Sequence, residues 1–355
     1  MRSLAVWTTT AAVALFGAAN ANAQTAQAPA ASAQTGDIAA AMLAYAAYQN
    51  DVGNLRAGNI ASANELETAL DTVAHHNRDA LTRGWIAYGA QTAAQSPAFV
   101  QGVRDAAAYY GRDAVIWAIT VDPSYARGLR GGNEATRMLL DSASADSARI
   151  VGVADRYQEM AYSLQRQRWA NAVAPGQAAR VTRIRSLGAP TQPVASIPAE
   201  WSPRLNVGML SVTQNDPTAF GGRRFWDTVR GGPQVTPVSQ TTVTYRANPT
   251  RAEALDRMAA VAALEALDAV SDHQSAVGSL LSDPRSHDCL EMAQLQLYQC
   301  MSAARFRYEN AFCLGQHGLR DVGMCIGAVA TADGTPLTPG SGAVASPIGG
   351  TTRRP

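Results

Sequence analysis

Residues 289–325 read CLEMAQLQLYQCMSAARFRYENAFCLGQHGLRDVGMC, and they hold all four cysteines of the chain. The run from Cys289 to Cys313 has neither Gly nor Pro, which predicts continuous helix. One straight helix would separate even the closest cysteines of this run, Cys289 and Cys300, by about 16 Å. A disulfide needs Cα atoms about 4.4–6.8 Å apart. Two intrachain disulfides therefore require a break in this helix.

A nested pairing satisfies this requirement most simply. Cys289 with Cys325 and Cys300 with Cys313 have almost the same midpoint in the sequence. One turn near Arg305–Asn310 would bring both pairs together in an antiparallel helical hairpin, so the sequence favours this pairing. The layout resembles the twin-cysteine hairpins of small mitochondrial-type proteins in architecture alone, because the spacings differ.

The cysteines allow two other interpretations. A turn at Gly315–Gly318 would pair Cys313 with Cys325 instead, and this alternative stays open. A zinc site would need the short spacing of C-x2-C or of a Cys/His motif. The gaps between these cysteines are ten residues or more, so the spacing argues against metal and for disulfides.

The N-terminus has the pattern of a secretory signal peptide. Arg2 supplies a positive start, residues 4–19 are apolar or small without charge, and Ala21-Asn22-Ala23 matches the A-x-A cleavage pattern. Cleavage is expected after Ala23, which leaves no transmembrane span. The sequence thus predicts a periplasmic or secreted bacterial protein, a compartment in which disulfides persist.

The fold class predicted for the mature chain is all-α: a helical bundle with an irregular Pro-rich middle segment and a disulfide-stapled C-terminal helical hairpin. The runs 181–184 and 241–245 look strand-like. The predicted organisation is a signal peptide (1–23), a flexible leader (24–36), an N-terminal helical region (37–173), a Pro-rich irregular connector with possible short strands (174–249), a C-terminal helical region with four Cys (250–331) and a disordered tail (332–355).

Capping motifs predict where several helices begin. Ser62-Ala63-Asn64-Glu65 has capping-box spacing, so a helix is expected from Ala63 toward Gln95. Ser96-Pro97 predicts another helix, which Gly111 should end. Thr250 and Glu253 form a second box, ahead of one predicted helix over residues 251–281.

Charge excludes one large class of function. The chain has 29 basic residues, all of them Arg, against 28 acidic residues, for a formal charge of +1. Cleavage would remove Arg2, which leaves 28 basic against 28 acidic residues. A neutral, Lys-free chain lacks the basic field on which nucleic-acid affinity depends, so no nucleic-acid partner is expected.

No catalytic or cofactor motif stands out. The sequence has no G-x-S-x-G elbow, H-E-x-x-H, P-loop or C-x-x-C-H. His75 and His76 are the only adjacent histidines, but neighbours on one helix point about 100° apart and cannot share a metal ion without a break. The sequence therefore leaves the catalytic residues, if the protein is an enzyme, unknown, and no metal site or cofactor is expected.

One stretch, residues 215–227, is a candidate binding loop. It combines turn residues with Arg223, Arg224, Phe225 and Trp226. Arg binds carboxylate or phosphate through two parallel hydrogen bonds, and Trp is frequent at interaction hot spots. The partner would be another envelope protein or an anionic envelope component. The alternative is a small core cluster with locally paired arginines.

These observations favour an exported cell-envelope protein that acts as a non-enzymatic helical scaffold or binding module. One alternative is a periplasmic hydrolase of envelope polymers, whose site is assembled from several helices. Another is a carrier of heme or a small ligand inside the bundle. The sequence names no partner and no substrate.

Overall fold

The computed structural model describes residues 38–190, 221–231 and 244–332, except for the side chains of Arg223 and Arg224. The predicted signal peptide, the leader and the tail beyond Ala332 lie outside the described residues, as does much of the connector. The all-α fold is confirmed, because helices dominate the described ranges and the strands there are short.

The helices are α1 (Ile38–Ala57), α2 (Ala63–Ala74), α3 (Arg78–Ala94), α4 (Pro97–Tyr110), α5 (Arg112–Val121), α6 (Ser124–Gly128), α7 (Gly132–Leu164), α8 (Gln177–Leu187), α9 (Gly222–Val229), α10 (Ala252–Ala266), α11 (Gln274–Leu280), α12 (Pro284–Ala303), α13 (Arg307–Cys313) and α14 (Asp321–Gly327), with a π-helix (Leu314–Arg320) between the last two. Strand β1 (Tyr245–Ala247) pairs antiparallel with β2 (Ala330–Ala332).

Small residues let the central helices pack closely. A Cβ at Gly84 of α3 would lie 2.7 Å from the carbonyl oxygen of Ala41 in α1, and one at Gly89 would lie 2.3 Å from Sδ of Met258 in α10. The alanines of α10 are buried almost throughout. Each large aliphatic side chain that this packing buries contributes about 2 kcal/mol to stability.

The predicted starts of α2 and α4 are confirmed. Ser62 Oγ accepts a hydrogen bond from Glu65 N at 3.3 Å, and Ser96 Oγ accepts one from Phe99 N at 3.2 Å. The carboxylate of Asp283 caps α12 in the same way. These side chains satisfy amide groups that a helix start otherwise leaves unpaired.

The helix expected from Ala63 toward Gln95 is wrong in its length. It ends at Ala74, and α3 begins four residues later at Arg78. Asn77 causes the restart, because its side-chain oxygen accepts a hydrogen bond from Ala80 N at 2.8 Å. This cap competes with a continuous helix, and it leaves His75 and His76 in the turn between two helices.

The helix expected over residues 251–281 is also two helices, α10 and α11. Asp268 has a positive φ of 52°, which no regular right-handed helix contains. The capping box at Thr250 does not form either. Asn248 Oδ1 instead accepts hydrogen bonds from the backbone N–H and the hydroxyl of Thr250.

The connector contains more helix than its prolines predict. Residues 181–184, expected to be strand-like, belong to α8, where Ile184 is buried and Arg180 pairs with Glu67 at 2.8 Å. The strand-like run at 241–245 reaches the described residues only in β1. The partner of β1 comes from the C-terminal end of the described chain rather than from a local hairpin.

The C-terminal helical hairpin has the nested pairing. Disulfides join Cys289 to Cys325 and Cys300 to Cys313, with Cα atoms 5.7 and 5.6 Å apart. The break between α12 and α13 lies at residues 304–306, at the edge of the predicted turn. Within the described ranges, none of the helices combines the length and the hydropathy that a bilayer span requires.

Candidate functional site

The aromatic half of the candidate binding loop is inside the protein. Phe225 and Trp226 lie on α9 and are buried, so neither side chain is available to a partner at the surface. Burying these large apolar rings stabilises the fold relative to leaving them in contact with water. The side chains of Arg223 and Arg224 lie outside the described residues, and their role in binding stays a prediction.

Trp226 belongs to a buried polar centre around Asp146 of α7. Oδ1 of Asp146 accepts hydrogen bonds from Gly222 N at 2.5 Å and from Trp226 Nε1 at 2.7 Å. Tyr45 donates to Oδ2 at 2.8 Å. The rings of Tyr45, Tyr88 and Trp226 surround this carboxyl group, with centroids 5.2–5.9 Å apart. Helices α1, α3, α7 and α9 thus meet at one side chain.

Burial dominates the electrostatics of this centre. It raises the pKa of Asp146 to about 6, although the three donors and nearby Arg149 favour the charged form. Burial also lowers the pKa of Arg149 to about 10. Sequence reasoning missed this centre because its members lie up to about 180 residues apart, and only an Asp inside the apolar stripe of α7 hinted at it.

A second polar group, the Asp51 cluster (Asp51, His75 and His76), forms where α1 meets the turn between α2 and α3. Nε2 of His75 lies 3.3 Å from Asp51 Oδ2, and Nε2 of His76 lies 2.9 Å from the same oxygen. The two imidazole centroids are 4.2 Å apart. The expectation that the two histidines cannot act together assumed a continuous helix, and the break after Ala74 removes that assumption.

The pKa values of all three groups in the Asp51 cluster are shifted from their ordinary values. Burial raises the pKa of Asp51, but hydrogen bonds from both histidines outweigh it and bring the pKa to about 2. The hydrogen bond to Asp51 raises the pKa of His75. Burial lowers the pKa of His76. Opposite shifts in adjacent histidines follow from their exposure, since 34% of the His75 side chain is exposed against 5% for His76.

His76 also lines a small cavity of about 40 Å³ between α1, α2, α12 and the π-helix. The volume has room for a few water molecules. Tyr48 and His317 line it as well, and apolar side chains from α2, α3 and α12 close it. The hydroxyl of Tyr48 is buried and makes no hydrogen bond within the described part of the chain.

A third group, His287, Asp288 and Glu291, lies near the start of α12. Its ligand atoms are also within 4.8 Å of one another, but its two carboxylates are exposed to solvent. His287 additionally lies 2.9 Å from Asp79 of α3. Exposed acidic groups of this kind are common without a bound ion, and Glu291 is also paired with Arg78 at 3.6 Å.

The surface of α4 and α5 carries a group of exposed aromatic side chains. Tyr109 and Tyr110 end α4, with 81% and 64% of their surface exposed, and Trp117 of α5 is 67% exposed. Val121 is exposed one turn beyond Trp117 on the same face. The opposite face of α5 is buried in the core. We call these four residues the α4–α5 aromatic surface.

No family model, curated protein or solved structure matches the chain.

Proposed function

We propose that this protein is an exported binding module of the bacterial cell envelope that docks a partner protein through the α4–α5 aromatic surface. The observation that carries the proposal is the exposure of Tyr109, Tyr110 and Trp117 on two consecutive helices. Aromatic side chains of this size are expensive to leave in water, and Tyr and Trp are enriched at protein interfaces. Exposed apolar groups of this kind mark interaction sites.

A protein partner fits this surface better than an anionic polymer. The nearby arginines are engaged within the chain: Arg104 donates to the carbonyl of Ala266, and Arg112 donates to the carbonyl of Leu267. Phe225 and Trp226, which the sequence offered for anion or partner binding, are buried. The α4–α5 aromatic surface therefore takes over the role that residues 215–227 had in the sequence-based hypothesis.

Export to the periplasm or beyond is part of the same proposal. Two disulfides support it, because such bonds persist in oxidising compartments. The test is N-terminal sequencing of the protein recovered from envelope fractions. We expect a mature N-terminus at Gln24 and no cytoplasmic pool. Recovery of an uncleaved, reduced chain from the cytoplasm would contradict export.

Docking is tested by site-specific photo-crosslinking in intact cells. A photoreactive phenylalanine at position 117 should give one discrete adduct, whereas the same group at position 162 should not. Tyr162 is a matched control, since it is 65% exposed but lies on α7. When the photoreactive group is at position 117, a second change, Tyr109→Ser, should reduce the adduct at least fivefold, and Met292→Ser on α12 should not.

Two results would overturn the docking proposal. One is an absence of any adduct at positions 109, 110 and 117 in cells that accumulate the folded protein. The other is adducts made only with lipid, which would assign the aromatic residues to a membrane interface. The identified partner, once purified, should also bind the unlabelled protein and lose affinity for Trp117→Ser.

A further inference from the structure

We propose that the Asp51 cluster is a binding site for one divalent first-row transition-metal ion, with zinc as the best fit. The inference is independent of the docking surface, which lies on other helices. It rests on the geometry of three ligand atoms, on a backbone contact that orients one of them, and on the cavity beside them.

The spacing of the three atoms suits a small ion. Tetrahedral zinc with bonds of about 2.0–2.1 Å holds its ligand atoms about 3.3 Å apart. Nε2 of His75 and Oδ2 of Asp51 are 3.3 Å apart, and Nε2 of His76 is 2.9 Å from that oxygen. All three atoms lie within 4.8 Å of one another. To seat the ion, Nε2 of His76 and Oδ2 of Asp51 must separate by a few tenths of an ångström, from 2.9 Å toward about 3.3 Å.

The chain places these atoms by ending one helix and starting another. His75 is the C-cap of α2, and Asn77 is the N-cap of α3, so His76 lies in the turn between them. Asp51 comes from α1, which brings the carboxylate from the opposite side of the turn. Two ligands adjacent in sequence therefore converge on a third that lies 24 and 25 residues before them.

A contact behind His75 orients its ring as in known metal sites. Nδ1 of His75 lies 3.2 Å from the carbonyl oxygen of Asp71. When an ion displaces the Nε2 proton that His75 otherwise donates to Asp51, the proton on Nδ1 keeps the hydrogen bond to that carbonyl, and the lone pair of Nε2 becomes available to bind the ion. Ligating histidines commonly donate their second ring N–H to a backbone carbonyl in this way. On the other ring, Tyr48 packs edge-on against His76, with centroids 5.3 Å apart.

The cavity beside His76 gives room for a fourth ligand. It has room for a few water molecules, and the Tyr48 hydroxyl that lines it is buried without a partner in the described residues. A metal-bound water would complete a tetrahedron and lie near this unpaired hydroxyl. Two imidazoles with one carboxylate form a donor set that suits zinc and its neighbours in the first transition row, and magnesium and calcium prefer oxygen alone.

The test is equilibrium dialysis of tag-free, chelator-treated mature protein against Zn²⁺, with Mg²⁺ as the negative ion. We expect one zinc ion per chain for the native protein and no saturable magnesium binding. His75→Gln should weaken zinc binding at least 100-fold, because a ligand is worth more than the outer contacts that cost 10- to 100-fold. His287→Gln, in the exposed cluster of α12, should leave binding unchanged.

Separate measurements test whether the variants still fold. His75 is partly exposed, so His75→Gln should keep the helical circular dichroism of the native protein, and Asp51→Asn provides a second variant on another helix. Zinc should raise the Tm of the native protein and of His287→Gln, but not that of His75→Gln. The proposal is overturned if the native protein binds no zinc, or if zinc binding is lost in His287→Gln and kept in His75→Gln.

Discussion

Helix α7 is held at two places along its length, by different means. Near its middle, the carboxyl group of Asp146 collects hydrogen bonds from α1 and α9. Further along, the stapled hairpin lies against it so closely that a Cβ at Gly315 would be 3.0 Å from the carbonyl oxygen of Ala154. The first attachment depends on the protonation state of one buried acid, whereas the second depends on covalent bonds that only a change in redox conditions removes.

The two attachments also differ in how they reach α7. At the Asp146 centre, Gly222 has a φ of +66°, and a Cβ there would meet Cβ of Ala145 at 2.9 Å. Only glycine combines this backbone conformation with so close an approach, and it aims the amide at Asp146. In the hairpin, Gly315 and Gly323 are helical, and close packing alone requires their lack of a side chain. One site needs glycine to aim a donor, and the other needs it to bring helices together.

The largest expected effect comes from Asp146→Ala. The substitution leaves three buried donors without an acceptor and removes a carboxylate that stabilises the charge of Arg149. Removing one member of such a buried charged network costs about 3–5 kcal/mol in the free energy of unfolding. Urea unfolding of the two proteins at one pH measures the loss.

Asp155→Ala on the same helix is the control for that measurement. Asp155 is half exposed and pairs with Arg320 at the surface, so its loss should cost under about 1 kcal/mol. Equal losses for the two variants would show that the Asp146 centre contributes no more than a surface ion pair.

The disulfides are expected to come next and to differ from each other. The outer bond closes a loop with a separation of 36 residues, and the inner bond closes one of 13. Loop entropy then predicts that replacing both cysteines of a pair by serine costs about 4 kcal/mol for the outer bond and about 3 kcal/mol for the inner bond. Unfolding under non-reducing conditions compares the two variants. A larger loss for the inner pair would contradict the entropic account.

The disulfide-bonded hairpin and the Asp146 centre show which features of the fold can be predicted from the sequence and which cannot. The hairpin is predictable, since the four cysteines lie within 37 residues, the distances along a helix are fixed, and a turn in the middle lets both pairs close. Helix starts with a Ser cap, as in α2 and α4, are predictable for the same local reason. The end of α4 before Gly111 is predictable too, but the end of α2 is not, because nothing in the spacing of apolar residues shows that the side chain of Asn77 will cap a new helix.

The candidate sites can be predicted only in part. The sequence draws attention to Trp226 but leaves its role open between a binding loop and a small core cluster, because its acceptor Asp146 lies 80 residues away and no local pattern connects them. His75 and His76 stand out as a pair, yet an unbroken helix would keep them apart. Asp51 carries no signal in the sequence at all. In each case the missing step is a contact between distant segments, which only the packing of the helices supplies.

The dependence of the free energy of unfolding on pH distinguishes the Asp146 centre from the disulfide-bonded hairpin. Burial raises the pKa of Asp146 to about 6 in the folded protein, above its usual value near 3.8, so the folded state holds this proton more tightly. The stability that this tighter proton binding contributes is fully present below about pH 4 and is lost as pH rises through about 6. The free energy of unfolding changes by up to about 3 kcal/mol across this range. Asp146→Asn should flatten the profile between about pH 4 and pH 7.

The difference between the two profiles isolates Asp146 from the other titrating groups. The low pKa of Asp51, about 2, changes stability only as pH falls below about 4, outside this window. The raised pKa of His75 affects both proteins alike, so it cancels in the difference. Parallel profiles for the native protein and Asp146→Asn would mean that Asp146 is ionised throughout. Replacing the disulfide cysteines should shift the native profile without changing its shape.

The smallest expected effect is that of Trp226→Phe. The smaller ring still packs between Tyr45 and Tyr88, but Asp146 loses the Nε1 donor, which should cost about 1–2 kcal/mol. Because that donor favours the charged carboxylate, its loss should also move the pH at which stability declines upward from about 6. Tyr88→Phe is the matched control, because the Tyr88 hydroxyl accepts a hydrogen bond from Ser142 and donates none to Asp146. In this variant the pH at which stability declines should therefore stay near 6. A shift of the midpoint in Tyr88→Phe but not in Trp226→Phe would show that aromatic packing, and not the indole hydrogen bond, sets the protonation of the acid that holds α7.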